Sequence, residues 1–122
     1  MRENKIILVI DDSDTALLLM EFMLNDAGYT THISSNVKNA LAFLENTCPD
    51  MVLLDLSMPD ISGYDFLNMR SELHLEDIPI LVVSAYDSKD SIKAAISLGA
   101  VDFIPKPIVI DMLLEKIKTH LK

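Results

Sequence analysis

The chain has no tryptophan, one cysteine and three glycines, and it sets only 10 Lys and Arg against 19 Asp and Glu. Each shortage excludes something. A lone Cys48 cannot close an internal disulfide, so it reads as a structural residue in a reducing compartment, and the cytoplasm is the expected location. A net charge of −9 argues against general attraction to nucleic acid or anionic membrane and favours a basic partner or a metal. Apolar runs such as Ile6 to Ile10 and Ala16 to Met20 are far too short to span a bilayer, and the first stops at two acids, too short for a signal-peptide core. No low-complexity segment, repeat or linker-like run is present. Residues 1–122 are therefore expected to form one domain, with no output domain attached.

Half of the residues are apolar, and they fall into a repeating pattern. Lys5 to Ile10 reads as a buried strand, and Asp11-Asp12-Ser13-Asp14 then supplies capping residues for a helix running to about Ala27, with Gly28 as its stop. Tyr29 to Ser34 is β-prone but polar, which suits an edge strand. Val37, Ala40, Leu41 and Leu44 make a helical stripe. Met51 to Leu54 is too short for a typical helix and rich in aliphatics, so it reads as a strand buried on both faces that delivers Asp55 at its C-terminal edge. Tyr64, Phe66, Leu67 and Leu73 suggest a third, less regular helix. Ile78 to Ala85 is another buried strand, Ser88 caps a helix to about Leu98 with Ile92, Ala95 and Ile96 inward, Val101 to Pro105 is the last strand, and Ile108 to Leu121 is a final helix.

Strands alternating with helices predict an α/β fold, a doubly wound (βα)5 sandwich whose parallel sheet carries helices on both faces. The first, third and fourth strands are the most apolar and belong in the middle, which the order 2-1-3-4-5 satisfies. That order brings Asp11, Asp12, Asp55, Ser84, Ala85 and Lys106 to one edge of the sheet, where ligands of open α/β folds bind. Taken singly, the first two acids could cap a helix, Ser84 could end a strand, Lys106 could be solvated surface, and Phe103 could be ordinary core. Their joint placement points to a site. His32, His74 and His120 lack metal-type spacing and read as surface residues.

An acidic pair after the first strand, Asp-x-x-Met-Pro-Asp after the third, Ser-Ala after the fourth and Lys-Pro after the fifth occur in order, and the chain resembles the receiver domain of bacterial two-component response regulators over essentially its whole length. The resemblance implies a phosphorelay protein whose Asp55 accepts a phosphoryl group from a sensor histidine kinase or phosphotransfer protein, not an enzyme beyond its own phosphorylation and slow dephosphorylation. It implies Mg²⁺, with Mn²⁺ as the alternative, held by Asp12 and Asp55 directly, by Asp11 through water and by the main-chain carbonyl of Ser57. Lys106, Ser84 and Ala85 would contact phosphoryl oxygens, a cis Lys106-Pro107 bond would aim the lysine, and Ser84 and Phe103 would form the switch. Tyr86, two residues after Ser84, would screen the acyl phosphate from water.

A target protein, output domain or second copy would read the face of the fourth helix, fifth strand and fifth helix. Kinase docking would use Ser13, Ala16 and Leu19 with Pro107 and Ile108. At about 100° per residue, Asp14, Thr15, Glu21, Asn25 and Asp26 define the solvent arc of the first helix, and Leu18 and Phe22 fall inside it as an exposed apolar pair, available to extend the docking surface or to self-associate.

Three rival readings share parts of this pattern. A haloacid dehalogenase-type phosphatase also uses a strand-end Asp but needs a second acid two residues on, where this chain has Ser57. A flavodoxin-like flavin carrier needs a Ser, Thr and Gly loop where Asp11-Asp12 would repel phosphate. A pseudo-receiver that takes no phosphate would have no use for the acids with Lys106.

Overall fold

A computed structural model describes residues 5–56, 62–85 and 88–121 of the chain. The strands β1 (Ile6–Ile10), β2 (Thr30–Ser34), β3 (Met51–Leu54), β4 (Ile80–Ser84) and β5 (Asp102–Pro105) alternate with α1 (Asp14–Asp26), α2 (Val37–Leu44), α3 (Gly63–Asn68), α4 (Lys89–Ser97) and α5 (Ile110–His120). All neighbouring strands pair in parallel, in the order β2-β1-β3-β4-β5. The predicted doubly wound α/β architecture is the one observed. Strand β3 lies at the centre with all four residues buried, and β2, polar and partly exposed, closes one edge.

Because successive strand residues face opposite sides, the sheet divides the core into two layers. Leu8, Ile10, Val52, Leu54, Ile80, Val82 and Phe103 pack on one side with Val37, Ala40, Phe66, Leu67 and Ala95 of α2, α3 and α4. Ile7, Val9, Met51, Leu53, Leu81, Val83 and Ile104 pack on the other with Leu17, Met20, Leu24, Leu113 and Ile117 of α1 and α5.

Local chemistry sets the element ends. Ser13, Asn36, Ser62 and Ser88 each cap a helix by accepting a backbone N–H, and Ser62 forms a reciprocal capping box with Asp65. Gly28 follows α1 at φ +100, a conformation that side-chain-bearing residues avoid. Gly63 serves a different purpose: a Cβ there would run into the Asp55 carbonyl and the Leu56 Cα, so its bare backbone lets the start of α3 sit directly on the end of β3.

Several boundaries differ from expectation. Helix α3 ends at Asn68, leaving Leu73 in the turns that follow, where His74 adopts φ 60. Strand β4 begins at Ile80, β5 at Asp102 and α5 at Ile110, each later than predicted. In α4 only Ala95 is fully buried; Ile92 is partly buried, and Ile96, expected inward, is 44% exposed because α4 covers the sheet with a narrow stripe. Cys48 is exposed, a correction to its reading as a structural residue. His120 is half-buried against Asp102, not simply a surface residue. Glu21 is also half-buried.

Replacing Gly63 by Ala should force α3 away from β3 and cost about 1–3 kcal/mol of stability, the usual range for overpacking. Chemical denaturation of Gly63→Ala measures this; unchanged stability would mean that the contact yields freely.

Candidate functional site

Asp11 and Asp12 follow β1, Asp55 follows β3, Ser84 ends β4, and Lys106 follows β5, so four parallel strands deliver their C-terminal ends to one place. Backbone bonds between neighbouring strands continue into the site: Asp55 N–H donates to the Ile10 carbonyl at 2.9 Å and Lys106 N–H to the Ser84 carbonyl at 3.1 Å. These side chains therefore hang from strand ends whose backbones are hydrogen-bonded into the sheet. Asp11 and Asp55 are buried, at 1% and 6% exposure, whereas Asp12 faces solvent.

Asp11, Asp12 and Asp55 each offer a carboxylate oxygen, and these oxygens lie within 4.8 Å of one another. At such separations each pair of ionised groups repels by roughly 3 kcal/mol at the effective dielectric of a protein surface. Two interactions relieve part of this. Asp11 Oδ1 accepts the Ser13 N–H at 2.9 Å, and Lys106 Nζ donates to Asp11 Oδ2 at 2.7 Å while standing 3.8 Å from Asp55 Oδ2. One lysine leaves the cluster net negative. Hard oxygen donors converging on one point, one of them open to water, fit a hydrated divalent cation such as Mg²⁺.

Ser84 is fully buried and Ala85, next to it, is exposed. The Lys106-Pro107 peptide is cis, as expected. Phe103 is buried on the α4 side of the sheet at 8% exposure. Ser57 and Tyr86 lie outside the described residues, as do the Met58, Pro59 and Asp60 of the motif after β3. Along α1, Ser13 and Leu19 are exposed and Ala16 is half-buried; beyond Lys106, Pro107 is exposed and Ile108 half-buried. Leu18 and Phe22 are 63% and 70% exposed, and Leu19 adds a third open apolar side chain at 53%.

A cavity of about 440 Å³ lies at the opposite ends of the strands, among Asp50, Arg70, Pro79, Val101 and His120, away from the carboxylates. None of the three carboxylates lines that cavity.

One cluster was not anticipated: Asp102 at the start of β5 binds Lys116 and His120 of α5 at 2.9 and 3.0 Å. Its sequence signal is an i, i+4 pair of basic residues on α5 and an acid that alternates with Ile104 along β5.

A model of the response regulator receiver domain matches residues 7–118. Sporulation initiation phosphotransferase F of Bacillus subtilis is 32% identical over 118 residues, spanning 97% of this chain and 94% of that protein. Response regulator MprA of Mycobacterium sp. is 32% identical over 116 residues, 95% of this chain but 50% of the longer protein. The chemotaxis protein CheY4 of Vibrio cholerae has the same fold, with a TM-score of 0.92 at 25% identity, covering 98% of this chain and 100% of that one. A CheY-like receiver domain protein of Methanospirillum hungatei matches with a TM-score of 0.86 at 32% identity, covering 96% and 93%.

Asp12→Ala removes an exposed donor without disturbing the buried pair. Mg²⁺ affinity by titration calorimetry should fall by at least an order of magnitude, as for losses at or beside a metal shell; equal affinity would place the ion elsewhere.

Proposed function

Because this chain belongs to the response regulator receiver family, we propose that it works in phosphorelay signalling by accepting a phosphoryl group on Asp55. The observation that carries the reading is the convergence of Asp11, Asp12 and Asp55 within 4.8 Å beside Lys106. An Asp55 carboxylate oxygen attacks the phosphorus of a phosphohistidine on a kinase or phosphotransfer protein; the new O–P bond forms as the P–N bond breaks and the imidazole leaves. Such transfers depend mostly on positioning and on charge placed near the phosphoryl oxygens. Mg²⁺, or Mn²⁺ in its place, held by Asp11, Asp12, Asp55 and the Ser57 carbonyl, would supply the larger part of that charge. Lys106 swings from Asp11 toward a phosphoryl oxygen, a movement that its long side chain allows from 3.8 Å. The Ser84 hydroxyl and the Ala85 N–H donate to the other oxygens.

Movement of Ser84 toward the phosphoryl group opens space into which Phe103 turns. Phe103 has no hydroxyl, so it reports through packing, and it lies on β5 between the helices that a target, an output domain or a second copy would contact. On this reading residues 1–122 form a single receiver domain in the cytoplasm that catalyses only its own phosphorylation and slow dephosphorylation. Among the described residues no helix is long and apolar enough to cross a membrane.

Docking of the phosphodonor centres on Ser13, Ala16 and Leu19 with Pro107 and Ile108, which follow the strands that deliver Asp11, Asp12 and Lys106. Leu18 and Phe22 extend it. Asp14, Leu18, Phe22 and Asp26 follow one another at four-residue spacing, an apolar pair closed at both ends by acids. Fully burying the pair would contribute roughly 3–6 kcal/mol before association costs.

Incubation with Mg²⁺ and a small phosphodonor should produce a base-labile acyl phosphate that mass spectrometry locates on Asp55, and Asp55→Asn should abolish it. Label appearing as fast on another residue would reject the site. Leu18→Arg with Phe22→Asn should keep folding and small-donor phosphorylation but slow transfer from a protein donor or shift the oligomeric state. If transfer kinetics and sedimentation both match the parent, the apolar pair is tolerated surface.

A further inference from the structure

The Asp102 carboxylate holds three groups at once. Its Oδ1 accepts the Phe103 backbone N–H at 2.8 Å and Lys116 Nζ at 2.9 Å, and its Oδ2 pairs with His120 Nε2 at 3.0 Å. Residues 102 and 103 are neighbours on a strand, so their side chains point to opposite faces. Phe103 packs with Val82, Ala95 and Ala100 in the layer beneath α4, whereas the next residue, Ile104, joins Leu113 and Ile117 of α5 on the other side. Asp102 therefore bonds, with one carboxylate, the peptide that carries Phe103 and the last turns of a helix on the far side of the sheet.

We propose that Asp102 is a positioning residue that couples the two faces of β5, so that a turn of Phe103 on the α4 side is delivered to the last turns of α5 through Lys116 and His120. The proposal rests on the phosphorelay reading for its trigger, and on the geometry alone for the tie. Packing through Leu113 and Ile117 already seats α5, but apolar contacts are non-directional and allow it to slide. Charge-assisted hydrogen bonds to one carboxylate fix both register and direction. The tie is only partly exposed, with side chains at 24–31%, which limits its screening by salt.

The charge of Asp102 is what the tie depends on. Burial pushes its carboxyl upward, but the Lys116 hydrogen bond, the Phe103 N–H and the His120 ring together outweigh burial and hold it below its ordinary value of 3.8. A carboxyl lowered in the folded state contributes stability that is complete above the unfolded value and fades as pH falls through the folded one. The carboxylate's part in the tie is thus complete at neutral pH and fades as pH falls below 3.8.

Asp102→Asn keeps the shape and weakens the tie from its centre; Lys116→Met cuts one branch and leaves β5 untouched. Without phosphodonor, both variants should show faster hydrogen exchange at the amides of the last turns of α5 than the parent. With Mg²⁺ and a small phosphodonor, Asp55 should be modified as fast as in the parent and the Phe103 amide should shift in the NMR spectrum. The accompanying shifts at residues 116–120 should be lost. Parent-like exchange in both variants, or α5 shifts that persist in both, would overturn the proposal. Absence of any acyl phosphate in the parent would instead count against the phosphorelay reading, and the exchange comparison would still decide whether Asp102 is the tie.

Discussion

Repulsion among carboxylates is the constraint from which the rest of this structure is arranged. Asp11, Asp12 and Asp55 would separate in a flexible loop, yet here two of them are buried, at 1% and 6% exposure. What holds them together is the pairing of β1 with β3, in which Ile10 stands opposite Leu54 and the next residue of each strand is an acid. The strands are buried on both faces, so moving either acid would mean moving core. Lys106 relieves part of the repulsion at the cost of reaching over from β5, and its backbone is itself bonded to Ser84.

The glycine that starts α3 belongs to the same design. By lying against the Asp55 carbonyl, Gly63 brings α3 close beneath the acid and limits how far the end of β3 can bend. The Ser62–Asp65 capping box then fixes where the helix begins. The carboxylate cluster at this end of the sheet is thus built from strand ends and one close backbone contact, apart from the cavity among Asp50, Arg70 and His120.

The strands and their order were legible because burial and chemistry agree there: a run such as Met51 to Leu54 has no alternative to the middle of a sheet, and the acids follow immediately. Helix details were less legible. Leu73 continues the apolar spacing of Phe66 and Leu67, but the chain leaves the helix at Met69, and the spacing carries no signal of that exit. Ile96 looked inward because it repeats Ile92 after one turn, whereas the small Ala95 is what lets α4 approach the sheet. Asp102 escaped notice because its partners lie 14 and 18 residues away, and their meeting depends on how α5 is rotated against β5. Of the site itself, the placement of the acids and the lysine was readable from motif order, and the cis peptide before Pro107 only from the family resemblance. That the lysine rests nearer Asp11 than Asp55 was not, because it follows from side-chain reach.

Cys48 gives the chain a practical property. It is the protein's one thiol, it is open to solvent, and it precedes the buried end of β3 opposite Asp55. A maleimide dye or spin label would therefore attach at a single known position, at the end of β3 opposite the carboxylates. Such a reporter would leave the acids and the recognition surfaces chemically unmarked, making the native chain its own labelling scaffold.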